Sequence, residues 1–306
     1  MKICIIGHKN HSKRLEKILY SLGYKDIFLF NHNIHVFDII KDYDIFFISS
    51  PNTTHSYWIH KLTNLDKYVF CEKPPVTTLQ DLQKITLYNP KLYFNFNYRF
   101  TKLATIVKSY IKNNKLGKPL YVNCISSTGL AFNESFNNDW RFIGNDIFSS
   151  IIGNVGIHYI DMISYIFGSI DDININNLHI TSKKLPDTSN ISMKIGNISI
   201  DIFVSYAAPF HNEIKVIFDN GIIFLKNGVV SISTPRDTFD SNNRFISPNN
   251  KVLHEFANSK EYFDMSLKAS INFFLQRVKQ NSNLPLKFYT QSIDTTKLII
   301  NNTKYD

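Results

Sequence analysis

Tyr68-Val69-Phe70-Cys71-Glu72-Lys73-Pro74-Pro75 decides how the rest of the chain is read. The short continuous apolar run Tyr68–Cys71 predicts a buried strand. Proline has no N–H to give to a sheet ladder, so the two prolines stop that strand. An acid and a lysine therefore stand together at the carboxyl edge of a buried strand, which is where open α/β sheets bind ligands. A partly desolvated lysine there has its pKa drawn toward neutrality and moves protons. The octapeptide alone is equally compatible with an ordinary Lys–Glu pair at a strand end, so its neighbours have to discriminate.

Upstream, Lys2–Ile6, Ile27–Phe30 and Asp44–Ile48 are further short apolar strands. Leu15, Ile18, Leu19 and Leu22 follow the first at helical spacing, and Gly23 stops that helix. A helix carrying Tyr57, Trp58, Ile59 and Leu62 precedes the octapeptide. One over Leu79–Leu87 follows it, then a fifth strand at Leu92–Phe96. Strands alternating with helices about every 25 residues predict βαβ units and a parallel, doubly wound sheet. A strand, a glycine turn and a helix at the start of such a sheet are where a dinucleotide pyrophosphate sits. Here the G-x-G-x-x-G fingerprint reads Gly7, Lys9, Ser12, so only its first glycine stands. Gly7–Arg14 reads as a polar turn, and the N-terminus of the helix after it still offers N–H groups and its dipole to an anion. The second strand ends in Phe30-Asn31-His32-Asn33. Asn31 offers an amide to a ribose hydroxyl, with no carboxylate to repel a 2′-phosphate, and the choice between NAD and NADP stays open.

The chain has 306 residues, 43% hydrophobic and 19% charged, with a net charge of +9. That length suits two domains, at about 100–200 residues each, and the composition excludes a disordered chain. No apolar run reaches the ~20 residues that span a bilayer, and Met1–Gly7 reads as a strand instead of a signal peptide. Cys4, Cys71 and Cys124 are odd in number and widely spaced, which fits reduced, buried thiols in a cytoplasmic protein and neither a zinc site nor a disulfide framework. No metal is expected. The positive charge forms no dense Lys/Arg block, so nucleic acid and membrane are not expected partners; an anionic small ligand suits it better.

Beyond a helix at 101–117, Tyr121–Ser126 opens a second domain, giving boundaries of 1–119 and 120–306 with the last helix, about 290–303, packing back on the first domain. Asp139-Trp140-Arg141 lies in an irregular polar stretch. In Gly153–Gly168, Asn154, His158 and Asp161 are spaced i, i+4, i+7 and share one face of an otherwise apolar helix. Buried polar groups need partners; a capping Asn, a satisfied core His and a solvent Asp would also account for the stripe. From 171 to 235, alternating runs separated by Asn-Gly turns predict antiparallel hairpins. Residues 236–252 read as a polar surface loop, and Lys260–Lys279 and Ile293–Asn301 as helices.

Ser50-Pro51-Asn52-Thr53-Thr54-His55, then Glu72-Lys73-Pro74, Asn97-Tyr98-Arg99, Asp139-Trp140-Arg141 and the Gly153–Gly168 stretch together resemble the Gfo/Idh/MocA family of NAD(P)-dependent oxidoreductases, which act mostly on sugars, polyols and sugar nucleotides. The resemblance implies an N-terminal Rossmann domain, a C-terminal α/β domain with an open, mostly antiparallel sheet, and a homodimer or homotetramer built on that sheet. It implies a cis Lys73–Pro74 bond, with Lys73 beside the nicotinamide and the substrate and Glu72 on the cofactor side. Gly7, Lys9, Asn10, His11, Asn31, Ser50, Pro51, Asn52 and His55 are expected along NAD or NADP. Tyr98, Arg99, Trp140, Arg141, Asn154 and His158 are expected at the substrate, with Lys73 and His158 as the catalytic pair. The family often has Asp where Asn154 stands; an amide takes no proton, so only hydrogen bonding remains there. The expected activity is hydride transfer to or from a carbinol or keto carbon of a sugar, polyol or sugar nucleotide, in carbohydrate or surface-glycan biosynthesis. A relative that has lost its dinucleotide and serves as a binding or assembly subunit, and a lyase or hydrolase with a resident NAD, are the alternatives. With Lys9 and Ser12 in place of glycines, free cofactor is expected to bind loosely.

Overall fold

The computed structural model describes residues 1–30, 40–134, 144, 146–181 and 184–303. They divide into two compact units, Met1–Phe96 with Lys268–Asn301, and Asn97–Leu267 with the last few residues.

The first unit is built on five parallel strands, β1 (Ile3–Ile6), β2 (Ile27–Phe30), β3 (Ile45–Ile48), β4 (Tyr68–Glu72) and β5 (Leu92–Asn95). Their order is β2-β1-β3-β4-β5, and every neighbouring pair is parallel. The order reverses between β1 and β3, so the crevice beyond their carboxyl ends is the ligand-binding position of an open α/β sheet. Strands β1, β3 and β5 are buried along their whole length, as expected where helices cover both faces. Between these strands run the helices α1 (Asn10–Ser21), α2 (His55–Asn64) and α3 (Leu79–Lys84). Phe274 packs against this sheet, 5.8 Å ring to ring from Phe47 and 5.4 Å from Phe70. Burial of each such ring stabilises the unit by roughly 1.5–3 kcal/mol.

The second unit opens with α4 (Lys102–Lys112) and β6 (Pro119–Ser127), then α5 (Ile157–Phe167). The strands β7 (Asp172–Leu178), β8 (Thr188–Ile195), β9 (Ile198–Ser205), β10 (His211–Phe218), β11 (Gly221–Lys226), β12 (Val229–Ser233) and β13 (Asn250–Glu255) follow. With β6 they form one eight-stranded sheet, ordered β13-β12-β11-β10-β6-β9-β8-β7. Every neighbouring pair is antiparallel except β6–β9. The β11–β12 hairpin turns on Asn227 and Gly228, both at positive φ (48° and 94°), the type I′ geometry that Asn-Gly favours. Burial largely alternates along β8 and β10, so among the described residues one sheet face is the less buried. Ile125, Phe203, Ile217, Ile222 and Phe224 are half-buried on that face.

Two helices complete the chain, α6 (Ser259–Lys279) and α7 (Leu286–Asn302). α7 begins seven residues before the periodicity suggests, directly after Pro285, because proline suits a helix start. The Gly153–Gly168 stretch is not uniformly α: Ile152–Gly156 is a π-turn and α5 begins at Ile157. A Cβ on Gly153 would lie 2.2 Å from the Phe148 Cα and 2.5 Å from the Ile147 carbonyl, so the backbone passes too close there for any side chain. Residues 236–252 hold a small hairpin closed by a Phe239–Phe245 bridge, with those rings 4.7 Å apart. Asp240 sets its turn by accepting from the Asn242 and Arg244 amides, an Asx-type local bond invisible to hydrophobic periodicity.

Candidate active site

In the first unit the predicted residues gather at the carboxyl edge of the parallel sheet. Gly7 leaves β1 at φ +136°, and a Cβ on it would meet the Ser12 hydroxyl at 2.6 Å and that of Ser49 at 2.9 Å. The missing Cβ is what lets a serine occupy the third glycine position. Ser12 is buried, and its Oγ pairs with Ser49 Oγ at 2.9 Å, tying α1 to the end of β3. Lys9 takes φ −83°, open to any residue, and its side chain is exposed. The first intrahelical bond of α1 runs from the Lys13 N–H to the Lys9 carbonyl. That leaves the amides of Asn10, His11 and Ser12 at the open end. No side chain caps this end and its first turn holds no acid. Unfilled amides, a dipole and nearby basic side chains fit a dinucleotide pyrophosphate.

The His11 ring reaches across to β4, where its Nε2 donates to Glu72 Oε1 at 2.8 Å. Asn95, opposite Glu72 in the β4–β5 register, donates its Nδ2 to the same oxygen at 2.8 Å. Behind it, Ser270 Oγ donates to Asn95 Oδ1 at 2.7 Å, and Tyr93 OH pairs with Ser270 at 2.8 Å. Burial pushes the Glu72 carboxyl upward, but the His11 ring, the two hydrogen bonds and the Lys73 ammonium outweigh it and hold the group below its ordinary value. Glu72 is thus a fixed, buried carboxylate beside Lys73, which is itself half-buried at the cis Lys73–Pro74 bond. Burial and the adjacent Glu72 push the Cys71 thiol well up, so it is no nucleophile.

His55 lies fully buried at the start of α2, its Nδ1 2.8 Å from the Pro74 carbonyl and its Nε2 3.1 Å from that of Ser50. Burial, only partly offset by those carbonyls, lowers its pKa. A neutral ring has a single N–H, so it donates to one carbonyl at a time. It staples the turn after β3 to the turn after β4. Around it, Ser50 Oγ pairs with Thr54 Oγ1 at 2.6 Å, Pro51 is exposed and Asn52 half-buried.

In the second unit Asn154 sits in the π-turn and donates its Nδ2 to Tyr206 OH at 2.6 Å. His158, half-buried in the first turn of α5, stacks on Tyr98 with ring centroids 4.4 Å apart. Arg99 is inside this unit, donating Nε to Asp161 Oδ2 at 2.8 Å and Nη2 to Asp161 Oδ1 at 2.6 Å. Both side chains are fully shielded from solvent. Asn31, Trp140 and Arg141 lie outside the described residues.

Sequence reasoning passed over Asn95, Tyr206 and the ion-pair role of Asp161. Two signals were available: an amide ending the apolar run Leu92-Tyr93-Phe94, and an acid on an apolar helix, which needs a buried partner. Among the described residues no three His, Cys, Asp or Glu side chains gather as metal ligands. No helix among them is long and apolar enough to cross a membrane. A cavity of about 430 Å³ opens between α3 and α7, lined in part by Leu82, Thr86, Ile293 and Asp294, and none of its lining belongs to the predicted set.

Residues 8–91 match the model of an oxidoreductase family with an NAD-binding Rossmann fold, and residues 105–224 match the Gfo/Idh/MocA C-terminal domain. The chain is similar to glucose-6-phosphate 3-dehydrogenase of Bacillus subtilis, 32% identical over 127 residues, which are 40% of this chain and 36% of that protein. It is also similar to levoglucosan dehydrogenase of Pseudarthrobacter phenanthrenivorans, 27% identical over 144 residues, which are 44% of this chain and 36% of that protein. The chain thus spans little more than a third of the length of these two relatives. In fold it resembles a levoglucosan dehydrogenase solved with NADH, at a TM-score of 0.80 and 14% identity, covering 99% of this chain and 95% of that one. With both domain models matched in order, the chain belongs to the Gfo/Idh/MocA family of oxidoreductases and carries its NAD-binding Rossmann domain.

Proposed function

We propose that the protein is an NAD(P)-dependent oxidoreductase acting on a sugar or polyol carbon, free, phosphorylated or nucleotide-linked. The observation that carries this reading is Glu72-Lys73 at the β4 carboxyl edge: a buried carboxylate fixed by His11 and Asn95, and beside it a half-buried amine. A bound nicotinamide supplies the two-electron acceptor, and the protein supplies position and charge. Lys73 takes the hydroxyl proton of the carbinol as that carbon is oxidised, and returns it in the reverse direction. His158 holds the reacting hydroxyl and shares the proton work. Asn154, an amide, contributes hydrogen bonding alone. Arg99, paired with Asp161, holds its turn in place and does not meet substrate.

The basic balance of +9 favours an anionic substrate such as a sugar phosphate or sugar nucleotide. The relatives named for glucose 6-phosphate and for levoglucosan point to the same carbohydrate class. The half-buried apolar side chains on the less buried sheet face suit pairing of like chains into a dimer or tetramer. A role in carbohydrate or surface-glycan biosynthesis fits this chemistry.

The lysine and serine at two glycine positions favour a second reading, a binding or assembly subunit without dinucleotide. One experiment separates the two. NADH and NADPH are titrated by fluorescence, and the protein is then assayed with both oxidised cofactors against glucose 6-phosphate, levoglucosan, myo-inositol and sugar nucleotides. Cofactor binding weaker than about 1 μM, an affinity of about −8 kcal/mol, together with turnover of at least one substrate is expected. Absence of binding to either cofactor would favour the assembly subunit.

A further inference from the structure

Tyr98 lies in the 3₁₀ turn Asn97–Phe100, and two rings stack on its own. His158 lies near-parallel to it at 4.4 Å and 16°, and Phe263 at 4.7 Å and 20°. Tyr159 meets it edge-on at 5.4 Å. Imidazole, phenol and benzene rings thus form one three-ring stack inside the second unit.

The turn is pinned on either side of its aromatic residue. Arg99 grips Asp161, three residues after His158 on α5. Asn97 Nδ2 donates to Ser266 Oγ at 2.8 Å, three residues after Phe263 on α6. Residues three apart share a helix face, so each helix presents one ring and one polar anchor to the same turn. Both anchors are inaccessible: Arg99 and Asp161 are shielded completely, and Asn97 and Ser266 are buried. Such a double clamp fixes the plane of Tyr98. A ring stacked on a fixed plane has little freedom about its Cβ–Cγ bond.

We propose that Phe263, acting through Tyr98, is a positioning residue for His158: the stack sets the imidazole plane so that a ring nitrogen meets the substrate hydroxyl edge-on. The proposal rests on the reading of His158 as a substrate-facing group. Phe263 itself touches no reacting atom; its effect passes through one ring. Proton transfer demands heavy-atom separations of about 2.6–3.2 Å, so a tilted imidazole loses rate while substrate binding, shared among many groups, changes little.

The test uses the full chain with ¹⁵N-labelled histidine. The His158 ring signals, assigned by their loss in His158→Asn, are followed in wild type, Phe263→Leu, Phe263→Met and Phe263→Tyr. Kinetics are measured in parallel on the substrate found in the panel above. Removing the flat ring is expected to shift or broaden the His158 signals and to lower kcat about tenfold, on the scale of a misplaced reacting group, with KM within about twofold. Phe263→Tyr, which keeps the ring, restores both. Phe263→Met decides the matter should Phe263→Leu fail to fold. Unchanged His158 signals in the folded Leu or Met variant overturn the proposal, as does an equal loss in Phe263→Tyr. Full turnover in His158→Asn removes instead the underlying reading of His158. Full turnover in Phe263→Leu while His158→Asn is dead removes only the role of Phe263.

Discussion

The carboxyl edge of the first sheet and the Asn97–Phe100 turn of the second unit both bury polar side chains, and they hold them by different means. At the sheet edge one carboxylate is surrounded by neutral or titratable donors. Tyr93, Ser270 and Asn95 relay to Glu72 from behind and His11 closes on it from α1. In the turn a full guanidinium–carboxylate pair is shielded completely, and aromatic faces do the rest. The first arrangement keeps a charge poised next to Lys73 and open to adjustment by protonation. The second tolerates no change of charge, and serves to make a frame rigid.

That contrast predicts unequal responses to mutation. Breaking the frame costs most. Arg99→Leu removes the bidentate partner of the buried Asp161 carboxylate, and is expected to destabilise the protein by about 3–5 kcal/mol. Arg99→Met with Asp161→Leu is expected to recover most of that loss, because two well-packed apolar groups replace a buried ion pair at little net cost. Urea unfolding of the three proteins measures both numbers. A single mutant within about 0.5 kcal/mol of wild type, the range of an ordinary surface change, would break the comparison.

Glu72→Gln is expected to cost less, about 1.5–3 kcal/mol at neutral pH, the range of hydrogen bonds to a charged group. Its signature is the pH dependence. The Glu72 carboxyl is held below its ordinary value of 4.5, burial being outweighed by His11, Asn95 and Lys73. A carboxylate with a lowered folded pKa contributes stability that is present above its unfolded pKa and is lost as pH falls through the folded one. Wild type is therefore expected to lose that increment below pH 4.5, and Glu72→Gln to lack it at every pH. Thermal unfolding of both proteins over a pH series reads the difference; parallel curves would show that the carboxylate is not held by its neighbours.

How much of this could be read in the sequence follows the same divide. The β1–α1 turn, the Tyr68–Glu72 strand and its proline stop are local patterns, and so were legible. So was the hairpin at Asn227-Gly228, where two positive φ angles select that dipeptide. The partners of these residues were not. Asn95 stands opposite Glu72 only because β5 pairs with β4 in a given register, and periodicity does not report which strands pair. Phe263 meets Tyr98 across 165 positions of chain, and in sequence it is one more apolar residue on a helix. Spacing put Asp161 on one face with Asn154 and His158 and left open whether it meets solvent; its burial, and Arg99 as its partner, come only from packing. The π-turn escaped notice because no residue marks it except glycines, whose close backbone contacts appear only on packing.

Comparing Lys73→Ala with wild type tests whether Lys73 is the proton-transferring group of a nicotinamide-dependent oxidoreductase. Cofactor reduction is followed with the substrate found in the panel, beside a circular dichroism spectrum and a cofactor titration. The variant is expected to keep its fold and to lose roughly a hundredfold or more in turnover, as befits a missing general acid/base. Turnover within about twofold of wild type, with fold and cofactor binding intact, would contradict the account.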